Sequence, residues 1–100
     1  MNIAASEISE KLLPIFAASS IERAVLFGSY AKGTYSPFSD IDIMIDSNGK
    51  IRGIDFFGIR GEITEVLRKD IDLIEASEII PNSRIDKEIS KTGVVIYEKA

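Results

Sequence analysis

The heptapeptide Asp40-Ile41-Asp42-Ile43-Met44-Ile45-Asp46 alternates residue by residue. A period of two marks a β-strand, whose successive side chains leave opposite faces. Ile41, Ile43 and Ile45 therefore share one face, and Asp40, Asp42, Met44 and Asp46 share the other. A face made of isoleucine alone must be covered, so the chain has to build a sheet with a layer packed on it. The opposite face is the unusual one. Aspartate is a poor strand former, and Asp40 and Asp42 stand on one pleat with only Ile41 between them.

The remaining elements follow from the same arithmetic. Asp70-Ile71-Asp72-Leu73-Ile74 is a second alternating strand. Arg23-Ala24-Val25-Leu26-Phe27 reads as a short buried strand stopped by Gly28, and Val94-Val95-Ile96-Tyr97 as a final strand. Ile8, Leu12, Ile15 and Phe16 recur at helical spacing and predict a helix over about residues 6 to 18, with Pro14 imposing a kink or a break into two parts. Phe56, Ile59, Ile63, Val66 and Leu67 define one face of the clearest helix. Gly58 and Gly61 weaken it by roughly 1 kcal/mol each, so packing must hold it.

Residues 29 to 33 allow only a turn or two of helix, residues 34 to 39 form a loop, and Ser47-Asn48-Gly49 is turn chemistry. After Pro81, Asn82 or Ser83 can cap a short helix carrying Ile85 and Ile89, which Gly93 can end. The order α-β-(short α)-β-α-β-α-β predicts one α/β or α+β domain over residues 1–100, with helices packed on a sheet.

Composition narrows the chemistry. A chain of 100 residues buries roughly 65% of its unfolded surface, enough for one modest core without staples. There is no cysteine, which excludes disulfides, thiolate zinc sites and a cysteine nucleophile. There is no histidine, which excludes the usual general base, a Ser-His-Asp triad and histidine metal ligation. Chemistry here must run on carboxylates, hydroxyls and bound metal. The formal charge of −4 argues against broad nucleic-acid binding, which needs a basic surface. No apolar run approaches a membrane span and no signal-peptide pattern opens the chain, so a cytoplasmic location and no membrane partner are expected.

Three features carry that chemistry. The Cα atoms of Asp40 and Asp42 lie roughly 6.5 Å apart along a strand, so both carboxylates can meet one or two cations. Without a cation they repel, and one pKa rises. Second, in Phe27-Gly28-Ser29-Tyr30-Ala31-Lys32-Gly33 a strand enters a glycine and then a serine that opens a short helix. Gly28 permits close approach of the backbone to a ligand, helix N-terminal amides favour phosphate, Ser29 adds a hydroxyl, and Lys32 adds a charge one turn on. A tight turn with a capping serine accounts for the same residues.

Third, Asp72 can complete a three-carboxylate cluster if its strand lies beside that of Asp40 and Asp42. Asp70 is expected at the edge, and Asp46 and Glu75 in solvent. Two lookalikes fail. The lysine that a phosphate-binding P-loop needs between Gly33 and Thr34 is absent, and no x-Ser-x-Gly elbow or histidine supports a hydrolase.

Gly28-Ser29, then ten residues, then Asp40-x-Asp42, then Asp72 inside an apolar strand resembles the DNA polymerase β-like nucleotidyltransferase superfamily. Within it, the chain resembles the minimal nucleotidyltransferases (MNT), usually paired with a HEPN-domain toxin. The likeness runs from about Ile21 to Tyr97 and departs where Lys32 replaces the more frequent arginine, losing a bidentate fork.

The resemblance implies a polymerase β-like fold, a mixed sheet of about four strands packed by helices. It implies two Mg²⁺ ions on Asp40, Asp42 and Asp72, and ATP held by Gly28, Ser29 and Lys32. It also implies transfer of AMP to a tyrosine of a HEPN-domain toxin, with Asp72 placed to accept the hydroxyl proton. The alternatives are an antitoxin that acts by covering its toxin, and the catalytic subunit of a two-chain small-molecule nucleotidyltransferase.

Overall fold

The computed structural model describes residues 3–100. Its strands are β1 (Arg23–Phe27), β2 (Ile41–Asp46), β3 (Ile71–Glu75) and β4 (Val94–Glu98), in the spatial order β3-β2-β1-β4. β1 pairs antiparallel with β2 and β4, while β2 and β3 run parallel. The helices are α1 (Ile3–Ala17), α2 (Gly28–Lys32), α3 (Ile54–Leu67) and α4 (Arg84–Thr92). A parallel pair needs a crossover, and α3 supplies it between β2 and β3. The result is the expected mixed four-stranded α/β sheet. Among the described residues, no helix is long and apolar enough to cross a membrane.

The two faces of the sheet are covered unequally. On one, Ala24 and Leu26 of β1, Ile41, Ile43 and Ile45 of β2, and Ile71 and Leu73 of β3 pack beneath Ile8, Leu12 and Phe16 of α1 and Ile63 of α3. All of these are buried. On the other face, among the described residues, the buried cluster is Val25, Phe27 and Met44, packed against Ile74, Ile79 and Ile89. This thin second layer leaves part of the sheet open, and Asp42 and Asp72 are on that side.

Three expectations change. α1 runs in one piece through Pro14; it does not divide there, because packing of Leu12 and Phe16 outweighs one lost backbone bond, and the Pro14 carbonyl still accepts from the Ala18 amide at 3.2 Å. Val66, farthest from the centre of the α3 stripe, is exposed rather than core. Glu75 is buried, not solvated. β3 extends one residue further than the alternation suggested, and period two then puts Glu75 on the core face with Ile71 and Leu73.

Glu75 survives there because its carboxylate is satisfied. It accepts from the Ser47 amide at 3.0 Å, from the Ser47 hydroxyl, and from the Ser77 amide at 2.8 Å. The Ser47 hydroxyl oxygen in turn accepts from the Ile51 amide at 3.0 Å. Burial pushes the pKa of Glu75 up, but the hydrogen bonds from Ser47 and Ser77 outweigh it and hold the carboxyl below its ordinary value of 4.5. The group clamps the end of β2 to the end of β3.

Replacing Glu75 by Gln turns one accepting atom into a donor that faces donors. The expected loss is about 1–3 kcal/mol, at roughly 4–8 °C of melting temperature per kcal/mol for a chain this size. A pKa lowered by folding stabilises fully above the unfolded value and is lost as pH falls through the folded one. Melts of both proteins from pH 7 down to pH 3 should therefore converge. A gap that stays constant across the range would show that the carboxylate charge does not form the clamp.

Candidate active site

Asp42 is central because three elements meet at it. The antiparallel register sets Phe27, the last residue of β1, opposite Asp42. The parallel register sets Asp72 beside it on β3. Adjacent strands are about 4.8 Å apart, so the two carboxylates leave the same face as neighbours. After Phe27 the chain turns at Gly28, whose φ of +70° favours glycine. A Cβ at Gly28 would collide with the Asp42 Oδ2 atom. The glycine is therefore required twice, by its backbone angle and by the carboxylate that occupies the place of a side chain.

α2 begins at once, and no side chain caps its start. Ser29 is half-buried at its second position and is not the cap that the plainer reading proposed. Gly33 ends the helix in the left-handed region at φ 76°. The loop that follows is braced. Tyr30 stacks on Tyr35 with ring centroids 4.2 Å apart, and Lys69 Nζ lies 5.8 Å from the Tyr30 ring while donating to the Pro37 carbonyl at 2.8 Å. The Ser36 amide donates to Ser39 Oγ at 2.9 Å, closing the turn that leads into Asp40. The Ile41 amide then donates to the Asp70 carbonyl, fixing the start of the parallel pair.

Of the six residues singled out in the sequence, Asp42 and Asp72 line a cleft of about 650 Å³ on the thinly covered face. Gly28 backs directly onto Asp42, with Ser29 next in chain. Asp40, just before β2, is exposed and lines a neighbouring hollow with Arg68, Lys69 and Asp70. Lys32 Nζ stands 3.1 Å from Glu88 Oε1 of α4. A separate hollow of about 360 Å³, between the start of α3 and the end of β3, holds none of these residues.

The cleft includes residues that the sequence did not reveal. Glu88 and Arg84 of α4 line it beside the carboxylates. Their one signal was position, since they are a helical turn apart and adjoin the Ile85 and Ile89 stripe.

The electrostatics match the crowding. Burial, then the charges of Asp72, Asp40 and Glu88, push the Asp42 carboxyl from 3.8 up to about 6. Among the described residues no three acidic side chains stand together as a metal cage: although β2 and β3 are adjacent, only Asp42 and Asp72 share the cleft, and Asp40 lines the hollow beside it. Mg²⁺ is ordinarily held by one or two carboxylates with phosphate oxygens and water completing its shell. Asp42 and Asp72, with Asp40 close enough to act on Asp42, form a donor set of that kind.

Comparison with known proteins places this geometry. The model of the family described as "Polymerase beta, Nucleotidyltransferase" matches residues 10–100. The chain belongs to this nucleotidyltransferase family. Two relatives from Methanocaldococcus jannaschii, both named "Putative protein adenylyltransferase", are 36% identical over 81% of this chain and 85% of theirs, and 34% identical over 77% and 79%.

Solved structures share the fold at lower identity. A toxin–antitoxin structure with AMP-PNP superposes with a TM-score of 0.78 at 20% identity, over 91% of this chain and 73% of that one. A tri-AMPylated Shewanella oneidensis HEPN toxin in complex with an MNT antitoxin gives 0.72 at 16%, over 95% and 73%.

Two substitutions probe the site without any substrate. Asp42→Asn in metal-free protein removes a charge that the fold penalises. A carboxyl pushed from 3.8 to about 6 corresponds to at most about 3 kcal/mol, and partial exposure reduces this to about 1–2 kcal/mol at pH 7.5. The variant should melt higher there. Wild type regains the difference as pH falls from above 6 towards 4, because its carboxyl then protonates. Equal melting temperatures at pH 7.5 would refute the crowding.

Gly28→Ala should cost about 1–3 kcal/mol from its backbone angle alone, and more from the collision. Combined with Asp42→Gly, which empties the contact, it should recover part of that loss. Thermal melts of the single and double variants read the recovery, and its absence would mean that the two residues do not touch.

Proposed function

We propose that this protein is an Mg²⁺-dependent adenylyltransferase that transfers AMP from ATP to a tyrosine hydroxyl of a HEPN-domain toxin, and so acts as its antitoxin. The observation that carries the reading is the pairing of Asp42 with Asp72 against the Gly28 turn. A protein with no histidine has there an acidic, partly desolvated pair next to a glycine turn that starts a short helix with no side-chain cap. The likeness to relatives named as protein adenylyltransferases, and to structures of HEPN–MNT pairs, supports the choice of acceptor.

In this reading the Gly28 backbone and the Ser29 hydroxyl meet the triphosphate, and the Lys32 ammonium offsets its charge. Asp40, Asp42 and Asp72 hold two Mg²⁺ ions, which when bound lower the pKa of the attacking hydroxyl and offset charge on the leaving oxygens. The acceptor oxygen bonds to the α-phosphorus as the bond from that phosphorus to the β-phosphate oxygen breaks. Pyrophosphate leaves, and the hydroxyl proton passes to a carboxylate oxygen of Asp72.

The test is incubation with labelled ATP, Mg²⁺ and the product of the neighbouring gene, followed by mass spectrometry of the acceptor. One or more AMP groups on tyrosine are expected. Asp42→Asn should lower the rate at least ~100-fold, since metal stabilisation of a transferring phosphoryl group is worth several kcal/mol. Transfer within threefold of wild type would overturn the metal assignment. Complex formation with no transfer would favour an antitoxin that acts by covering its toxin.

A further inference from the structure

The sequence reading points Lys32 at a triphosphate, yet its ammonium is 3.1 Å from the Glu88 carboxylate. The pair bridges α2 to α4 across the cleft edge. Its side chains are 44% and 27% exposed, and pairs this open to water contribute little to stability. Glu88 is therefore poorly explained as a strut. Its position is more telling, because it lines the same cleft as Asp42 and Asp72, and its charge reaches Asp42. Glu88 thus joins the cleft's carboxylates to Lys32, the cation that it contacts.

We propose that Glu88 is a positioning residue that competes with the nucleotide triphosphate for Lys32, holding the ammonium at the cleft edge until phosphate oxygens displace the carboxylate. This rests on the reading of Gly28, Ser29 and Lys32 as the triphosphate turn. Binding then exchanges one ion pair for another. The exchange is easy because the original pair is weak and solvated. Departure of pyrophosphate reverses it, since Lys32 has a partner waiting and need not retain the product. Glu88 thereby lowers nucleotide affinity in exchange for release.

Calorimetry with Mg²⁺ and AMP-PNP on four proteins decides the matter: wild type, Glu88→Gln, Lys32→Gln and the double variant. Glu88→Gln should bind about threefold to tenfold tighter than wild type, as expected when an exposed pair no longer competes. A merely structural role would weaken binding or leave it alone. In the Lys32→Gln background the gain from Glu88→Gln should fall below twofold, because the competition has lost its object. Glu88→Ala should repeat the result, and thermal melts verify that every variant is folded.

Unchanged or weaker binding by both Glu88 variants overturns the proposal. So does an equal gain with and without Lys32, which would mean diffuse repulsion rather than competition for one side chain. If wild type binds Mg²⁺–AMP-PNP but neither Glu88 variant differs, only the role of Glu88 fails. If wild type binds no nucleotide, the triphosphate reading fails with it.

Discussion

Asp42 and Asp72 are held side by side by a backbone register that their own charges oppose. After burial, the charge of Asp72 is the largest cause of the raised Asp42 pKa. The register withstands this because its other face is deeply buried. Ile41 pairs with Ile71 and Ile43 with Leu73, all four in the core, and each buried side chain of this size contributes about 1.5–3 kcal/mol. Polar contacts lock the two ends, the Ile41 amide on the Asp70 carbonyl at the start and Ser47 on Glu75 at the finish. The apolar face thus sustains a repulsion that the polar face could not tolerate alone.

Unequal covering of the sheet turns that repulsion into a site. α1 and α3 seal one face, whereas α4 and the segment around Ile79 only partly cover the other. Had the second layer been complete, Asp42 and Asp72 would have been desolvated without partners, which is far more costly. Had it been missing, Val25, Phe27 and Met44 would lie in water. The intermediate case leaves a cleft with carboxylates on its floor, α4 as one wall, and the exposed Ile80 and half-exposed Ile85 at its margin.

Local periodicity made much of this legible, and long-range pairing hid the rest. Strict alternation announced β2 and β3 and placed Asp42 and Asp72 on exposed pleats, because period two depends on nothing beyond the strand itself. Gly28 was legible because a glycine between a buried strand and a short helix has few purposes. Glu75 was misread since its solvation depends on Ser47, twenty-eight residues away, and no local pattern records a carboxylate clamped by a distant turn. Glu88 was missed for a related reason. On an exposed helix face an acidic residue looks like solvated surface until the packing of α4 beside α2 brings it to Lys32.

Under the proposed function, charge balance explains how an acidic chain could serve an acidic substrate. Asp42, Asp72, Glu78 and Glu88 bring four carboxylates to the cleft, against Arg84 in its lining and Lys32 paired with Glu88. A bare triphosphate approaching this excess meets repulsion from every carboxylate, and burial of Asp42 reduces the screening. The same excess attracts divalent cations, and a nucleotide that arrives with them carries its own counter-charge. Lys32 alone is too little to reverse the sign of the cleft, particularly while Glu88 holds it. Under the proposed function, discrimination between metal-loaded and bare nucleotide would arise from the summed field of the cleft, not from any single contact.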